Sequence, residues 1–449
     1  MRIARSLNLN SVLIVVLGGI SVLPLRLTAQ ISPSILTCPS SQGRNAIWGT
    51  CTGTLGVVGS SAFVDATVFG GPSIDFCQQI NNAINSLPLT GGVVDARGVQ
   101  LSGGNTCANS PFTNPNVITV PSIVLLPPGI ITVSKTWVLP DETKVIGEGS
   151  GASGTSVTTL RATTSFSGTW MIQMGPNSGP LDLCTTRPAG HCVGVALEDV
   201  ALQGASGVSG IINGQSQDQS YVRGVNLYQI PGTGLRVWNS AQNSGPYTDI
   251  RFDTGDVSGI SQAGTICAQL SVPSYGLHGL TCISNAIPQA AVLVDSSNNS
   301  IEDIRVQGFI DGIAIGTNGS AQSDIVMNAT GGSGVTHLIN IETAHTVSDL
   351  SIVGITRGLS DVTILDNLTS TTLSDEYVGT YVLGESILID SNTAYSRFTT
   401  SPNVPTLGVG TSTPTSTTCT KGSLFSDAPT LNSGGDLYVC TGGTTWSPL

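Results

Sequence analysis

Four short stretches repeat one pattern: "ALEDVALQG" (196–204), "YTDIRFDTG" (247–255), "SIEDIRVQGF" (300–309) and "VSDLSIVG" (347–354). Each places an acidic residue before an aliphatic, then any residue, then another apolar one. Taking the aliphatic after the acid, or after a glycine in its place, as an anchor gives Val200, Val225, Ile250, Leu280, Ile304, Ile325 and Leu350. Their separations are 25, 25, 30, 24, 21 and 25 residues. Self-similarity at this period marks a solenoid, in which each unit buries its apolar face only against its neighbours.

The columns around the anchor narrow the choice. Two residues on stand Leu202, Leu227, Phe252, Cys282, Val306, Met327 and Ile352, and three residues back stand Leu197, Val222, Tyr247, Leu277, Ile301, Gln322 and Val347. Alternation after the anchor is a strand with one face buried. The three-residue step before it needs a corner. A short strand, a corner and a second strand in every unit describe a coiled parallel β-helix. A leucine-rich repeat would need its fixed Leu and Asn positions and a helical back half, which are missing. The recurring acids Asp199, Asp249, Asp303, Asp324 and Asp349, with Gly224 and Gly279 in the same place, read as corner formers.

Upstream the period changes. In "DFCQQINNAINSLPLTGGVVDARG" (75–98), Ile80, Ala83, Ile84 and Leu87 share one helical face and Pro88 ends it. Such a helix would close the open end of a solenoid. "LPPGIITVSKTWVLPDETKVIGEGSG" follows, with Pro128-Gly129, an alternating strand, Leu139-Pro140 and Gly147-Glu148-Gly149. Cap helix, Gly-Gly-strand, Pro-Gly-strand, Pro and Gly-x-Gly in this order resemble the pectate-lyase-like right-handed parallel β-helix superfamily. The likeness is to the group related to family 28 glycoside hydrolases and phage tailspikes, over about residues 60–390. It implies an all-β solenoid and a polysaccharide substrate, handled by hydrolysis or elimination. The family's Asp-Asp pair and Arg-Ile-Lys are absent, and "GLHG" (276–279) only partly matches its Gly-His-Gly. "GSGASG" (149–154) satisfies a dinucleotide-binding pattern, but the β-branched "TSVTTLRA" follows where that site needs a helix.

Side chains one and three residues after the anchor should point outward, in files about 4.8 Å apart. The first file reads Ala201, Asn226, Arg251, Thr281, Arg305, Val326, Ser351, and the second Gln203, Tyr228, Asp253, Ile283, Gln307, Asn328, Val353. Before the corner come Glu198, Arg223, Thr248, His278 and Glu302. Functional groups concentrate at Asp253, Arg251, His278 and Glu302 as candidate catalytic residues, with Tyr228, Arg223, Arg305 and Gln307 as substrate contacts. A glycosidase needs two carboxyls, for which Asp253 would pair with Asp256 or Glu302. A lyase needs a base and cations, Arg or Ca²⁺, to hold a uronate carboxylate. No other cofactor and no metal site is expected. Ordinary cross-strand ion pairs would account for the same residues, and a non-catalytic adhesion or structural solenoid is the alternative function.

Residues 1–29, with Arg2, Arg5, an apolar run over 12–23 and Ala29, read as a signal peptide, so the protein is expected to be secreted, extracellular or at the cell surface. Its removal deepens a net charge of −12 by three, which disfavours nucleic acid. No later run is long enough to span a membrane. Ten cysteines fall as neighbours: Cys38 with Cys51, Cys77 with Cys107, Cys184 with Cys192, Cys267 with Cys282 and Cys419 with Cys440. Sequential disulfides are expected. Residues 30–60 form an N-terminal extension, 61–398 the β-helix, 399–418 a Pro/Thr-rich linker, and 419–449 a small disulfide-stapled β module.

Overall fold

The computed structural model describes residues 62–367, except 72–73, 102–105, 113–119, 152–155, 177–183, 185–189, 255–263, 343–344, 349 and 354–361, and the short strands 389–391, 396–397, 407–409, 424–426, 437–442 and 445–448. Two compact units divide the chain, 1–57 and 58–449, and every described residue lies in the second. The signal peptide, Asp256 and Asp349 lie outside the described residues. So do Cys38 and Cys51, the two halves of one expected disulfide. Cys419, the expected partner of Cys440, also lies outside the described residues. No helix among the described residues is long and apolar enough to cross a membrane.

The protein is a right-handed parallel β-helix. The first strand of each turn joins one parallel sheet, in which Ser122–Leu125, Thr143–Ile146, Ala196–Glu198, Tyr221–Arg223, Tyr247–Thr248, Leu277–His278, Ser300–Glu302 and Ile325–Met327 succeed one another. The second strands, Ala201–Gln203, Asn226–Tyr228, Arg251–Asp253, Thr281–Ile283 and Arg305–Gln307, pair in register on the next face. The third strands run from Ser209–Asn213 through Thr233–Val237, Ile266–Leu270, Ala290–Val294, Asp311–Ile315 and His337–Ile341 to Val362–Asp366. Upstream, Gly129–Leu139 and Thr158–Met174 are long enough to serve two faces, and Thr158–Met174 pairs with both Ala201–Gln203 and Ser209–Asn213. That strand follows "GSGASG", so the helix a dinucleotide would need is not there.

Inside, the files predicted from the columns are formed. Leu197, Val222, Tyr247, Leu277, Ile301 and Val326 stack in the first sheet, and Leu202, Leu227, Phe252, Cys282 and Val306 in the second, all buried. One continuous core reaches from Phe76, Ile80, Ala83 and Ile84 of the cap helix (Phe76–Asn85) to Ile364. Asp75 caps that helix, accepting from the Gln78 amide at 2.8 Å, and takes the Ala108 amide at 3.1 Å on its other oxygen. Disulfides join Cys77 to Cys107, Cys184 to Cys192 and Cys267 to Cys282. Cys440 is also disulfide-bonded.

The corner is a single left-handed residue per turn. Asp199 (φ 54°), Gly224 (63°), Asp249 (54°), Gly279 (71°), Asp303 (56°) and Asn328 (53°) occupy it. Each amide reaches the next turn: Asp199 to Arg223 O, Gly224 to Thr248 O, Asp249 to His278 O, Gly279 to Glu302 O and Asp303 to Met327 O. Glycine is the residue with least strain there, and Asp or Asn follow because their short polar side chains tolerate the conformation. A Cβ on Gly224 would sit 2.4 Å from the Asp199 carboxylate, whereas Asp303 and Asn328 occupy adjacent levels with Asn328 Nδ2 donating to Asp303 Oδ1 at 3.1 Å.

One turn departs from the predicted register. Arg305 pairs with Thr330 and Val306 with Gly331, which puts Ala329, not Ile325, under Ile304. Ile325 pairs with Ser300 and is 40% exposed, while its neighbour Val326 points in. The aliphatic at 325 mimicked an anchor; the real one is a small alanine behind the left-handed Asn328. Val326, Asn328, Ser351 and Val353 therefore leave the outward files in which spacing placed them. Leu350 is buried, but it precedes Ser351, which pairs with Ile325, so it lines a neighbouring interior column. Asp324 is likewise no corner residue. It is 1% exposed, accepts from the Asn299 amide at 2.7 Å and from Asn299 Nδ2 at 3.1 Å, and its Oδ2 has no partner among the described residues. Burial raises its carboxyl to about 7, against those two hydrogen bonds.

Toward the C-terminus, Ile389–Ser391 continues the third sheet. A separate sheet joins Ser396–Arg397, Leu407–Val409, Leu424–Ser426, Leu437–Gly442 and Thr445–Pro448. The segment read as a linker thus contributes the strand Leu407–Val409, which pairs with Leu424–Ser426. Phe425 and Trp446 meet at 5.6 Å between ring centroids within this sheet.

Candidate functional site

The corner between the first and second sheets displays the predicted outward groups on five successive turns. Register makes two files of the second sheet, Ala201–Asn226–Arg251–Thr281–Arg305 and Gln203–Tyr228–Asp253–Ile283–Gln307. Across the corner runs the file Glu198–Arg223–Thr248–His278–Glu302 of the first sheet. The described candidates therefore lie on the two sheets that meet at this corner. Their mutual contacts are narrower than this shared corner implies.

Arg251 Nη2 meets Asp253 Oδ2 at 3.3 Å along its own strand, with the arginine side chain 53% and the aspartate 30% exposed. His278 Nδ1 faces Glu302 Oε2 of the next turn at 3.7 Å. His278 Nε2 stands 3.1 Å from the Tyr275 carbonyl, and Ser300 Oγ donates to Glu302 Oε1. Arg223 pairs with Glu198, whose other oxygen receives the Tyr221 hydroxyl. Lys144 Nζ lies 5.8 Å from the Tyr221 ring centre, and the Arg223 guanidinium 6.0 Å. Burial, reinforced by the Glu198 carboxylate, pushes the Tyr221 hydroxyl to about 12. The Glu198 charge raises Arg223 in turn. Arg305 is exposed and forms no ion pair among the described residues.

Asp253 and Glu302 belong to turns two apart, about 9.6 Å along the axis at the usual strand spacing, before their offset across the corner is added. Glycosidase carboxyl pairs span at most about 9.5 Å. The patch thus joins Arg251 to Asp253 and His278 to Glu302, and does not set Asp253 opposite a second described carboxyl.

Two polar atoms here are buried and have no hydrogen-bond partner among the described residues, Asn226 Oδ1 and the Tyr228 hydroxyl. Asn226 is 5% exposed. Leaving such groups unpaired costs about 1–3 kcal/mol each. They adjoin Arg251 and Asp253 in the same two files. Sequence placed both residues in the files, but an unsatisfied atom has no signature in residue order. Tyr221 was missed altogether, because it lies one position outside the columns that were followed.

No family model and no curated protein matches the chain. Among solved structures it is similar to DFA-IIIase of Arthrobacter chlorophenolicus A6 without its lid, at 12% identity over 75% of this chain and 93% of that one, with a TM-score of 0.39. It is similar to the endo-xylogalacturonan hydrolase of Aspergillus tubingensis, at 12% identity over 74% and 95%, with a TM-score of 0.36. The A-module of a mannuronan C-5 epimerase from Azotobacter vinelandii matches at 13% identity over 74% and 99%, with a TM-score of 0.31.

Proposed function

We propose that the protein is an exported β-helix that holds an extracellular polysaccharide along the corner face. The observation carrying this reading is the run of polar side chains Asn226, Arg251, Thr281 and Arg305 on successive turns, flanked by Tyr228, Asp253 and Gln307, with Arg251 and Arg305 exposed. A linear polymer laid along the axis meets these groups at a constant interval, and its hydroxyls both donate and accept. Arg305, and Arg251 if it swings from Asp253, would hold a uronate carboxylate in bidentate fashion. Three disulfides fit an oxidising compartment.

Binding is favoured over cleavage at this face by the mutual pairing of its charges. Asp253 is engaged by Arg251, and both nitrogens of His278 face acceptors. Cleavage by a glycosidase or lyase at Asp253, Arg251, His278 and Glu302 is the second reading, favoured by the partial exposure of the His278–Glu302 pair.

Affinity electrophoresis of the full chain in gels containing acidic and neutral polysaccharides tests the first reading. Retardation by at least one polymer, weakened about tenfold in the double variant Asn226→Ala/Arg305→Ala, is expected. Retardation that the double variant leaves intact would refute the assignment. New reducing ends or unsaturated-product absorbance that disappear in His278→Ala would move the conclusion to cleavage.

A further inference from the structure

A second constellation lies on the outer side of the third sheet. Asp311 opens the strand Asp311–Ile315, and His337 pairs beside it from the next turn. Asp311 is 1% exposed and its two oxygens are fully engaged. Oδ1 meets His337 Nδ1 at 2.6 Å, and Oδ2 accepts from Gln289 Nε2 at 2.7 Å and Asn340 Nδ2 at 3.0 Å. Asn340 Nδ2 also reaches Glu342 Oε1 at 2.9 Å, and Asn367 Nδ2 donates to Asn340 Oδ1 at 2.8 Å. Six side chains from four consecutive turns thus converge on one carboxylate and one amide.

The network fixes the role of each group. A carboxylate on Nδ1 holds the imidazole with its proton there, leaving Nε2 as a lone-pair acceptor. The His337 side chain is 21% exposed and rests on the buried Asp311 carboxylate. Glu342 and Asp311 share the single Asn340 nitrogen, which puts the bonded oxygens within about 6 Å of each other. Burial first, and the Asp311 charge second, raise the Glu342 carboxyl above its ordinary value, which favours a proton on it. A base with a fixed tautomer and a nearby carboxyl raised above its ordinary range are the two halves of acid–base catalysis.

The surroundings narrow the ligand. No Lys or Arg contacts the network among the described residues, so nothing there offsets an anionic sugar. Asn340 Nδ2 spends both of its protons inside the network, while the Glu342 carboxyl and His337 Nε2 can accept from incoming hydroxyls. Ala290, Leu293 and Ala314 form an apolar cluster on the same outer side, with Ala314 paired to Asn340 in the sheet.

We infer that Asp311, His337 and Glu342 form an acid–base centre that hydrolyses a glycosidic bond of an uncharged sugar. Water loses a proton to His337 Nε2 as its oxygen bonds to the anomeric carbon. The bond from that carbon to the leaving oxygen breaks, and the leaving oxygen takes the Glu342 proton. Asp311 is a positioning residue: it holds the imidazole and stabilises its cation. This centre is independent of the corner face, and either reading fails alone.

The test incubates the full chain with starch, dextran, xylan and galactomannan and measures new reducing ends. Release from at least one of them is expected, falling at least 100-fold in His337→Gln and in Glu342→Gln at unchanged melting temperature. Asp311→Asn should lower kcat with little change in KM; Glu342→Asp should restore part of the rate lost in Glu342→Gln. A folded Glu342→Gln protein suffices if the Asp311 variant does not fold. No release from any of the four, or release that His337→Gln and Glu342→Gln leave intact, overturns the proposal. Release abolished by Asn226→Ala/Arg305→Ala but not by His337→Gln assigns the chemistry to the corner face instead.

Discussion

The corner face and the third-sheet network are made from the same ingredients, carboxylates beside bases and amides, yet they are assembled in opposite ways. At the corner the ion pairs are two-membered, and Arg251 remains half in water. In the third sheet several partners converge on Asp311, which water hardly reaches. Exposed ion pairs contribute about 0–1 kcal/mol because solvent screens them and long side chains lose freedom. A buried carboxylate is tolerable only when its hydrogen bonds are complete, and removing it strands every donor it served. The difference teaches that a cluster of charges on a solenoid is weighed by how many partners it would orphan.

That contrast can be broken by mutation. The largest effect is expected for Asp311→Ala, which leaves His337, Gln289 and Asn340 short of an acceptor. A loss of about 3 kcal/mol in urea-unfolding stability is expected, and a loss under about 1 kcal/mol would make the network no more than a surface pair. Next comes Asp324. Its folded carboxyl, raised to about 7 from 3.8, binds a proton that the unfolded chain releases earlier. Stability from this group is therefore full in acid and declines as pH rises through the window from about 4 to about 7, then levels off. Denaturation midpoints across that window should flatten in Asp324→Asn; an unchanged slope would assign the dependence elsewhere.

Glu198→Ala stands between the two regions, since Glu198 is buried but its partner Arg223 is half exposed. A loss of about 1–2 kcal/mol is expected, mostly from the stranded Tyr221 hydroxyl, and Tyr221→Phe in that background should recover part of it. The smallest effect belongs to Arg251→Ala. Its thermal midpoint should move by less than about 1 kcal/mol equivalent and lose what salt sensitivity the pair provides. A larger shift would show that the corner pairs do more than neutralise one another.

Much of the architecture was readable because a solenoid writes its interior at fixed intervals. Leu197, Val222, Tyr247, Leu277 and Ile301 are apolar and evenly spaced because they stack on one another. The cap helix was readable for the same kind of reason, as Ile80, Ala83 and Ile84 return every helical turn. Reading failed where one residue imitated another. Ile325 resembles an anchor in type and in its distance from Leu350, whereas the true position holds Ala329, whose small side chain carries little signal.

The third-sheet network was invisible for a different reason. Asp311 follows its corner by eight residues, but in other turns the arc to the third strand has another length, so no column passes through Asp311, His337 and Asn340. The third strands are also buried along almost their whole length, Asp311–Ile315 and Ala290–Val294 at every position. Without alternation, an outward residue cannot be told from an inward one in the sequence. At the corner, by contrast, the outward residues were legible while their pairing was not. Whether Asp253 meets Arg251 or a carboxyl depends on rotamers and on turns two levels apart.

The one-residue elbow at Asp199, Gly224, Asp249, Gly279, Asp303 and Asn328 limits how such a chain can change length. From Asp199 to Asp303 the elbow amide bonds a first-sheet carbonyl of the next turn, and the carbonyl of the residue that follows takes a second-sheet amide. A residue added between Glu302 and Arg305 would therefore misalign two sheets together. The arcs that follow the second strands already differ from turn to turn, and they can absorb extra residues. Growth by duplication of whole turns, or by enlarging those arcs, is therefore open to this scaffold, and designers who graft loops onto it should leave the elbow alone.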